Sequence, residues 1–376
     1  MSDKMKEFAA IITKLINKES LSRQEANYYF SEVLLNKQSE MQQGAFLAAL
    51  AAKGVSAQEI AGVWEAIYEI DTVKVIPNIS DPLVDNCGTG MDALKTFNIS
   101  TAASLIAAAA GIRMVKHGAR AITSVCGTID ILEELGVDVE CKPEVVKRSI
   151  ENAGIGIFNG MSPQVHPQAL GRILSQISFG TVLNIAASLA NPVLPKYGVR
   201  GVYAPEMVEP VARVMREIGY SKAIVVHGLS EDGLRGMDEA STLGRTIIAE
   251  LKETGEIITY DFMPEDVGLK RGEERLLTPR NNREEEALRF LSILSGKEDN
   301  TLTDIVCLNS GLILYLTNTS KTIKEGCQQA KEIIIAGKAV EKLREWVQEQ
   351  NSKPEAGLIK LDRLFSLTNE RINISA

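Results

Sequence analysis

The sequence predicts an α/β protein: a small helical domain over residues 1–72, a larger α/β domain with a mixed or parallel central sheet over 73–350, and a C-terminal tail over 351–376. Three observations predict it. The first seventy residues carry helix caps and helical apolar spacing. From Pro77 to about residue 335, short apolar runs alternate with helical stretches. The chain length of 376 residues, at roughly 100–200 per domain, leaves room for two domains.

In the first part, Ser22-x-x-Glu25 and Ser56-x-x-Glu59 are capping-box signatures, the second directly after Gly54, which stops the preceding helix. Between them Phe46, Leu47, Leu50 and Ala51 share one helical face that needs a partner. Further on, Val73–Ile76, Leu83–Val84, Arg113–Val115, Gly154–Phe158, Gly201–Tyr203 and Ala223–Val226 are strand candidates, and Pro205–Ile218 is a helix between the last two. Residues 252–283 are polar, hold a short strand candidate at Ile257–Tyr260, and are expected to wander over the surface. Helices return at 283–294 and 320–350. The last stretch, with Pro354 and Gly357, reads as a loosely attached tail.

Composition excludes several classes. Hydrophobic residues make up 45% and charged residues 24%, which is ordinary globular usage. The net charge is −8 with no basic stripe, so nucleic acid is not an expected partner. The small-apolar stretch Ala102–Ile112 is too short to span a bilayer, and no signal core follows Met1. Five cysteines without C-x-x-C spacing read as free thiols in a reducing compartment, which points to the cytoplasm.

Chemistry in an open α/β sheet collects where strand ends lead into helix starts. After Leu83-Val84-Asp85 comes Asn86-Cys87-Gly88-Thr89-Gly90-Met91-Asp92, then Lys95-Thr96-Phe97-Asn98-Ile99-Ser100-Thr101 and an Ala-rich helix. Glycines admit an anion to backbone N–H groups, and the helix start adds unpaired donors. Hydroxyls at Thr89, Ser100 and Thr101 can serve phosphate oxygens or a Mg²⁺ held with them. The next strand ends in Lys116-His117-Gly118-Ala119-Arg120, followed by Ser124-x-x-Gly127-Thr128, a second small-residue turn that shares the crevice unless it is only a solvated basic turn. All three histidines, His117, His166 and His227, stand at strand or loop ends, which points to a polar cleft. Asp238 and Glu239 are adjacent acids in a loop opened by Gly236, fit for one hard cation or for plain solvation. No Ser-His-Asp order, Walker lysine or H-E-x-x-H motif is present.

These residues, in this order, resemble the anthranilate phosphoribosyltransferase family from about Phe8 to Val347. The motifs are Gln43–Leu47, the loop ending in Asp92, Asn98–Thr101, Lys116-His117-Gly118, Asn191-Pro192, Gly201–Tyr203, Val226-His227-Gly228 and Asp238-Glu239. The resemblance implies a cleft between the two domains, a helical domain completed by helices near 165–190, and a homodimer. It implies transfer of the 5-phosphoribosyl group of phosphoribosyl diphosphate to anthranilate, a step of tryptophan biosynthesis, with Mg²⁺. By motif position, Gly88, Thr89, Gly90, Asp92, Asn98, Ser100 and Thr101 would hold the donor, with Lys116 as electrostatic stabiliser, and Thr96, Ser124, Thr128, His166 and Arg172 are further substrate-binding candidates. His117 and Gly118 would border the acceptor. Ser100, Asp238 and Glu239 would bind the metal.

Four departures from the family pattern stand out, the altered loop and the shortened stretch after it taken as one. Met91 replaces the second of two adjacent glycines, and Ala119 replaces an asparagine. Met161-Ser162-Pro163 replaces Phe-Ala-Pro, and the stretch from His166 to Asn191 is about two residues short. The arginine that meets the anthranilate carboxylate falls on Leu174 counted back from Asn191, or on Gln176 counted forward from His166. Either Arg172 supplies it, or the acceptor is another small aromatic nitrogen. A family relative that only binds phosphorylated ligands, or a nucleoside phosphorylase, remains the alternative.

Overall fold

A computed structural model describes residues 3–121, 126–177, 179–298 and 300–375. Four helices, Asp3–Ile16, Arg23–Leu34, Glu40–Lys53 and Ala57–Asp71, open the chain. Both capping boxes form: the Ser22 and Ser56 hydroxyls accept from the Glu25 and Glu59 N–H groups, and each glutamate accepts from its serine N–H in return. Glu59 is fully buried, yet its carboxylate also accepts from the Leu21 N–H and from Lys53 Nζ, each at 2.9 Å, so the buried charge is partnered. Gly54, at φ 85°, ends the third helix. Phe46, Leu47 and Leu50 are buried as expected, while Ala51 is only half-buried. Their partners include Leu170, Ile173, Leu183 and Ile185, from the helices Leu170–Gln176 and Leu183–Ala186.

Among the described residues the central sheet has eight strands: β1 (Leu83–Gly88), β2 (Arg113–Gly118), β3 (Ile155–Asn159), β4 (Tyr197–Gly201), β5 (Lys222–Leu229), β6 (Gly236–Met237), β7 (Thr246–Leu251) and β8 (Ile257–Phe262). They run in the order β3-β2-β1-β4-β5-β7-β8, with β6 paired to β5. Pairings from β3 to β5 are parallel, and β6, β7 and β8 join antiparallel, so the sheet is mixed. The parallel part leaves the carboxyl ends of β1, β2, β4 and β5 on one edge. One core lies between the sheet and helices including Ile99–Ala109 and Asn300–Leu316; another runs from the helical domain onto Val225 and Ala249 of the sheet.

Several expectations change. Val73–Ile76 is not a strand; its N–H groups at Val73 and Val75 donate to Val165 and Pro192 carbonyls across a linking segment. The strand expected at Gly201–Tyr203 sits earlier, at Tyr197–Gly201. Glycines disguise it, because a Cβ on Gly198 would come within 2.8 Å of Tyr220. Thr246–Leu251, where the sequence reading places no strand, pairs with β5 and with Ile257–Phe262 and extends the sheet, so the second strand does not wander over the surface. The tail is a helix, Pro354–Ser375, that buries Leu361 and Leu364 against the helices Arg283–Leu294 and Lys338–Glu349. Its backbone meets Gly136 so closely that a Cβ there would lie 2.4 Å from the Gly357 carbonyl oxygen. No helix among the described residues is long and apolar enough to cross a membrane.

Candidate active site

Strands β1, β4 and β5 place a glycine at or near their carboxyl ends: Gly88, Gly201 and Gly228. The loop that carries Asp238 and Glu239 lies across all three. A Cβ on Gly88 would stand 2.0 Å from Asp238 Oδ2, one on Gly201 1.4 Å from the Asp238 carbonyl oxygen, and one on Gly228 2.4 Å from the Glu239 carbonyl oxygen. Only glycines permit that approach. His227 supports the loop from behind: its Nδ1–H donates to the Val202 carbonyl at 2.7 Å, and its ring packs where a Cβ of Gly236 would be.

The glycine loop after β1 then faces this shelf. The Gly90 N–H donates to Asp238 Oδ2 at 2.7 Å, and Lys95 Nζ donates to Asp92 Oδ1 at 3.2 Å. Asp92, Asp238 and Glu239 bring carboxylate oxygens within 4.8 Å of one another. Such crowding is costly without a cation. Burial, then Asp238, pushes Asp92 up to about 7, and burial, Asp238 and Asp92 push Glu239 well above its ordinary value. Glu239 Oε2 is buried with no hydrogen-bond partner. Hard oxygen ligands, convergent charge and an orphaned acceptor fit a divalent ion such as Mg²⁺.

A cleft of about 410 Å³ opens above these carboxylates, between the sheet edge and residues 160–188. Gly88, Thr89, Gly90, Asp92, Thr96, Asn98, Ser100, His117, Gly118, Thr128, Asp238 and Glu239 all line it. Four predicted residues among the described ones do not. Thr101 is fully buried, because it follows Ser100 by about 100° around the helix Ile99–Ala109 and turns into the core. Lys116 is also buried beneath the site: its Nζ donates to the Asn86 carbonyl at 2.5 Å and to Ser104 Oγ at 3.2 Å, and burial lowers its pKa. Alternation along β2 explains this, since Lys116 and His117 point to opposite faces. Lys116 therefore braces β1 against the following helix and does not reach the cleft.

His166 stands behind His117, with Nε2 atoms 3.1 Å apart and its Nδ1 3.0 Å from the Asp71 carbonyl oxygen. Burial holds His117 down at about 3, so it is neutral. Arg172 turns into the helical domain, donating to Gln43 Oε1 at 3.1 Å and the Val33 carbonyl at 3.0 Å. Leu174 lines the cleft in its stead. Ser124 lies outside the described residues.

Sequence reading missed two features. Asp92 joins the carboxylate cluster, although it is 146 residues from Asp238 and no spacing links them. The far wall, with Met161, Leu170, Ile177, Phe179 and Leu183, is apolar and irregular, and carries no motif. Met91 reaches that wall: a Cβ on Gly180 would meet its Cε at 1.9 Å.

Comparison with known proteins agrees with this geometry. Residues 9–69 match the helical bundle domain of a glycosyl transferase family, and residues 80–340 match its α/β domain. The chain is 37% identical to the anthranilate phosphoribosyltransferase of Thermoanaerobacter sp. (strain X514), covering 90% of this chain and 97% of that one. It is 36% identical to the enzyme of that name from Methanothermobacter thermautotrophicus, covering 90% and 97%. The crystal structure of the Thermus thermophilus enzyme superposes with a TM-score of 0.80 at 33% identity, over 90% of this chain and 98% of that one. A glycine shelf under two carboxylates and a hydroxyl-bearing helix start thus stand in a chain that, over nine-tenths of its length, belongs to the anthranilate phosphoribosyltransferase family.

Proposed function

We propose that the protein transfers the 5-phosphoribosyl group of phosphoribosyl diphosphate to the amine of anthranilate, releasing diphosphate, as a step of tryptophan biosynthesis. One observation carries the reading: a three-carboxylate cluster faces glycine-loop amides and a hydroxyl-bearing helix start in a single cleft. Family membership and the names of the relatives supply the reaction.

In the transfer, the bond from ribose C1 to diphosphate breaks with its electron pair on oxygen. The amine lone pair forms the C1–N bond, and the nitrogen then sheds one proton. Mg²⁺, when bound, supplies positive charge against the departing diphosphate. Asp92, Asp238 and Glu239 are the residues that would hold it, with Ser100 close by on the cleft wall. Gly88, Thr89 and Gly90 offer backbone and hydroxyl donors to the diphosphate. Asn98 and Ser100, at the start of the helix Ile99–Ala109, and Thr128, opening the next helix, suit the remaining phosphate oxygens. These donors are fixed before the substrate arrives, so stabilisation of leaving charge costs little reorganisation. A neutral aromatic amine is already nucleophilic, and neutral His117 need not act as a base.

The division into 1–72, 73–350 and 351–376 is part of this reading, as is a homodimer through the helical domain, which exposed Ile16, Tyr28, Leu35 and Met41 support. Five free cysteines, four of them buried, support a cytoplasmic setting. The test is incubation with phosphoribosyl diphosphate, Mg²⁺ and anthranilate. Diphosphate release that requires all three is expected; its absence at millimolar substrate would refute the reading.

A further inference from the structure

Resting on the transfer reading above, we infer that the acceptor half of the cleft recognises the ring and amine of an arylamine and offers, among the described residues, no unengaged cation to a ring carboxylate, so that uncharged ortho-substituted arylamines serve as acceptors at least as well as anthranilate. The wall facing the carboxylate cluster is built from Met161, Leu170, Leu174, Ile177, Phe179 and Leu183. These side chains suit the faces and edges of an aromatic ring. Phe179 is 52% exposed, as a wall that awaits a flat partner would be.

Cations are the deciding feature, and each is accounted for. Among the described residues, Lys95 and Arg120 are the basic side chains that line the cleft. Lys95 stands over the donor side, paired with Asp92 at 3.2 Å. Arg120 is drawn outward by Glu133 at 2.7 Å, Glu140 at 3.0 Å and Asp130 at 3.3 Å. Arg172 is spent on Gln43 and the Val33 carbonyl. Residues 122–125 and 178, which lie outside the described residues, are by sequence Ile, Thr, Ser, Val and Ser, none of them basic. A carboxylate pressed on this wall would lose water and gain no fork of donors in return, whereas a carboxamide of the same shape loses far less.

The experiment compares anthranilate with 2-aminobenzamide, its uncharged isostere, at saturating phosphoribosyl diphosphate and Mg²⁺. The expected ratio of kcat/KM, anthranilate over amide, is one or below; a preference for anthranilate above tenfold overturns the inference. Leu174→Arg, which places a guanidinium on the wall, should swing the ratio at least tenfold toward anthranilate while leaving the KM for the donor unchanged. An unmoved ratio in a folded variant removes Leu174 from the acceptor subsite and overturns the inference. Calorimetric titration of both amines into the donor-bound protein separates the two readings. Should neither amine be turned over, the transfer reading fails, yet equal affinities still uphold the apolar subsite. Tenfold tighter anthranilate, or no binding of either amine, overturns it.

Discussion

Gly88→Ala is the smallest change that tests the carboxylate site. Gly88 closes β1 in register with Gly201 of β4, and a Cβ on it would lie 2.0 Å from Asp238 Oδ2 and 2.5 Å from Asp238 Cγ. To reach an ordinary separation of about 3.4 Å, that oxygen would have to retreat by about 1.4 Å. It cannot do so and keep its 2.7 Å bond from the Gly90 N–H. A hydrogen bond to a charged group contributes about 1.5–3 kcal/mol, which corresponds to roughly 10- to 150-fold in an equilibrium constant. Overpacking adds about 1–3 kcal/mol against the fold. The variant should therefore unfold at lower denaturant and bind Mg²⁺ roughly 10- to 150-fold more weakly, read by calorimetry in the presence of phosphoribosyl diphosphate. Gly90→Ala is the control, since Gly90 has φ 67° and no atom within 4 Å of a Cβ, so it tests backbone strain alone. Unchanged Mg²⁺ affinity in a folded Gly88→Ala protein would show that Asp238 is not held where the ion binds.

Asp238→Asn combined with Glu239→Gln should abolish transfer and leave the melting temperature equal or higher, because two crowded charges are removed; retained activity would count against the metal role. Since burial pushes Asp92 up to about 7, an ion must displace its proton at neutral pH, and Mg²⁺ affinity should rise between pH 6 and pH 8. The folding linkage has the opposite sign: the metal-free native state keeps a proton that the unfolded chain has released, so this group's contribution to stability falls as pH climbs from 3.8 to about 7, and a denaturation series against pH checks it. Met91→Gly removes a left-handed residue at φ 69°, relieving about 1–2 kcal/mol, offset by about 0.4–1 kcal/mol of unfolded-chain entropy. A small net stabilisation is expected, and a loss beyond about 1 kcal/mol would mean that its contact over Gly180 outweighs the strain. Truncation after Ser352 exposes the partners of buried Leu361 and Leu364, at about 1.5–3 kcal/mol for each leucine as an upper bound, and should lower the melting temperature without weakening donor binding.

Much of this is legible in the sequence. Capping boxes at Ser22 and Ser56 are local, four-residue events, so they survive folding unchanged. The Gly-Thr-Gly loop and the helix start at Asn98–Thr101 are contiguous, and their order alone places them at a strand end. Features that failed depend on direction or distance. Lys116 and His117 are neighbours in sequence, yet the strand turns one into the sheet and the other into the cleft. Thr101 shares a hydroxyl with Ser100 but not its orientation. Arg172 is near the acceptor wall along the chain, and its place on the helix Leu170–Gln176 turns it toward Gln43, on the side away from the cleft-lining Leu170 and Leu174. The helix at Pro354–Ser375 was misread because its breakers, Pro354 and Gly357, serve its first turn and its close approach to Gly136.

Why the acidic loop is seated where it is follows from the strand ends beneath it. Three strands adjacent in the sheet each surrender a side chain near their ends, β1 and β4 at the same level (Gly88 opposite Gly201) and β5 two residues further on at Gly228, and the Asp238 carboxylate together with the Asp238 and Glu239 carbonyls fills the space those side chains would take. Any larger residue would lift the loop toward solvent, where its carboxylates would separate, hydrate and lose their claim on a cation. Held down, they cannot relax apart, and the free energy of their mutual repulsion becomes affinity for whichever divalent ion neutralises them. The same shelf gives the metal-free protein a reason to be less stable than the loaded one. Mg²⁺ with phosphoribosyl diphosphate should raise the melting temperature of the native chain by more than that of Gly201→Ala, in which a Cβ at 1.4 Å from the Asp238 carbonyl oxygen forces the loop upward. Equal shifts for the two proteins would mean that the seat of the loop and the binding of the ion are independent.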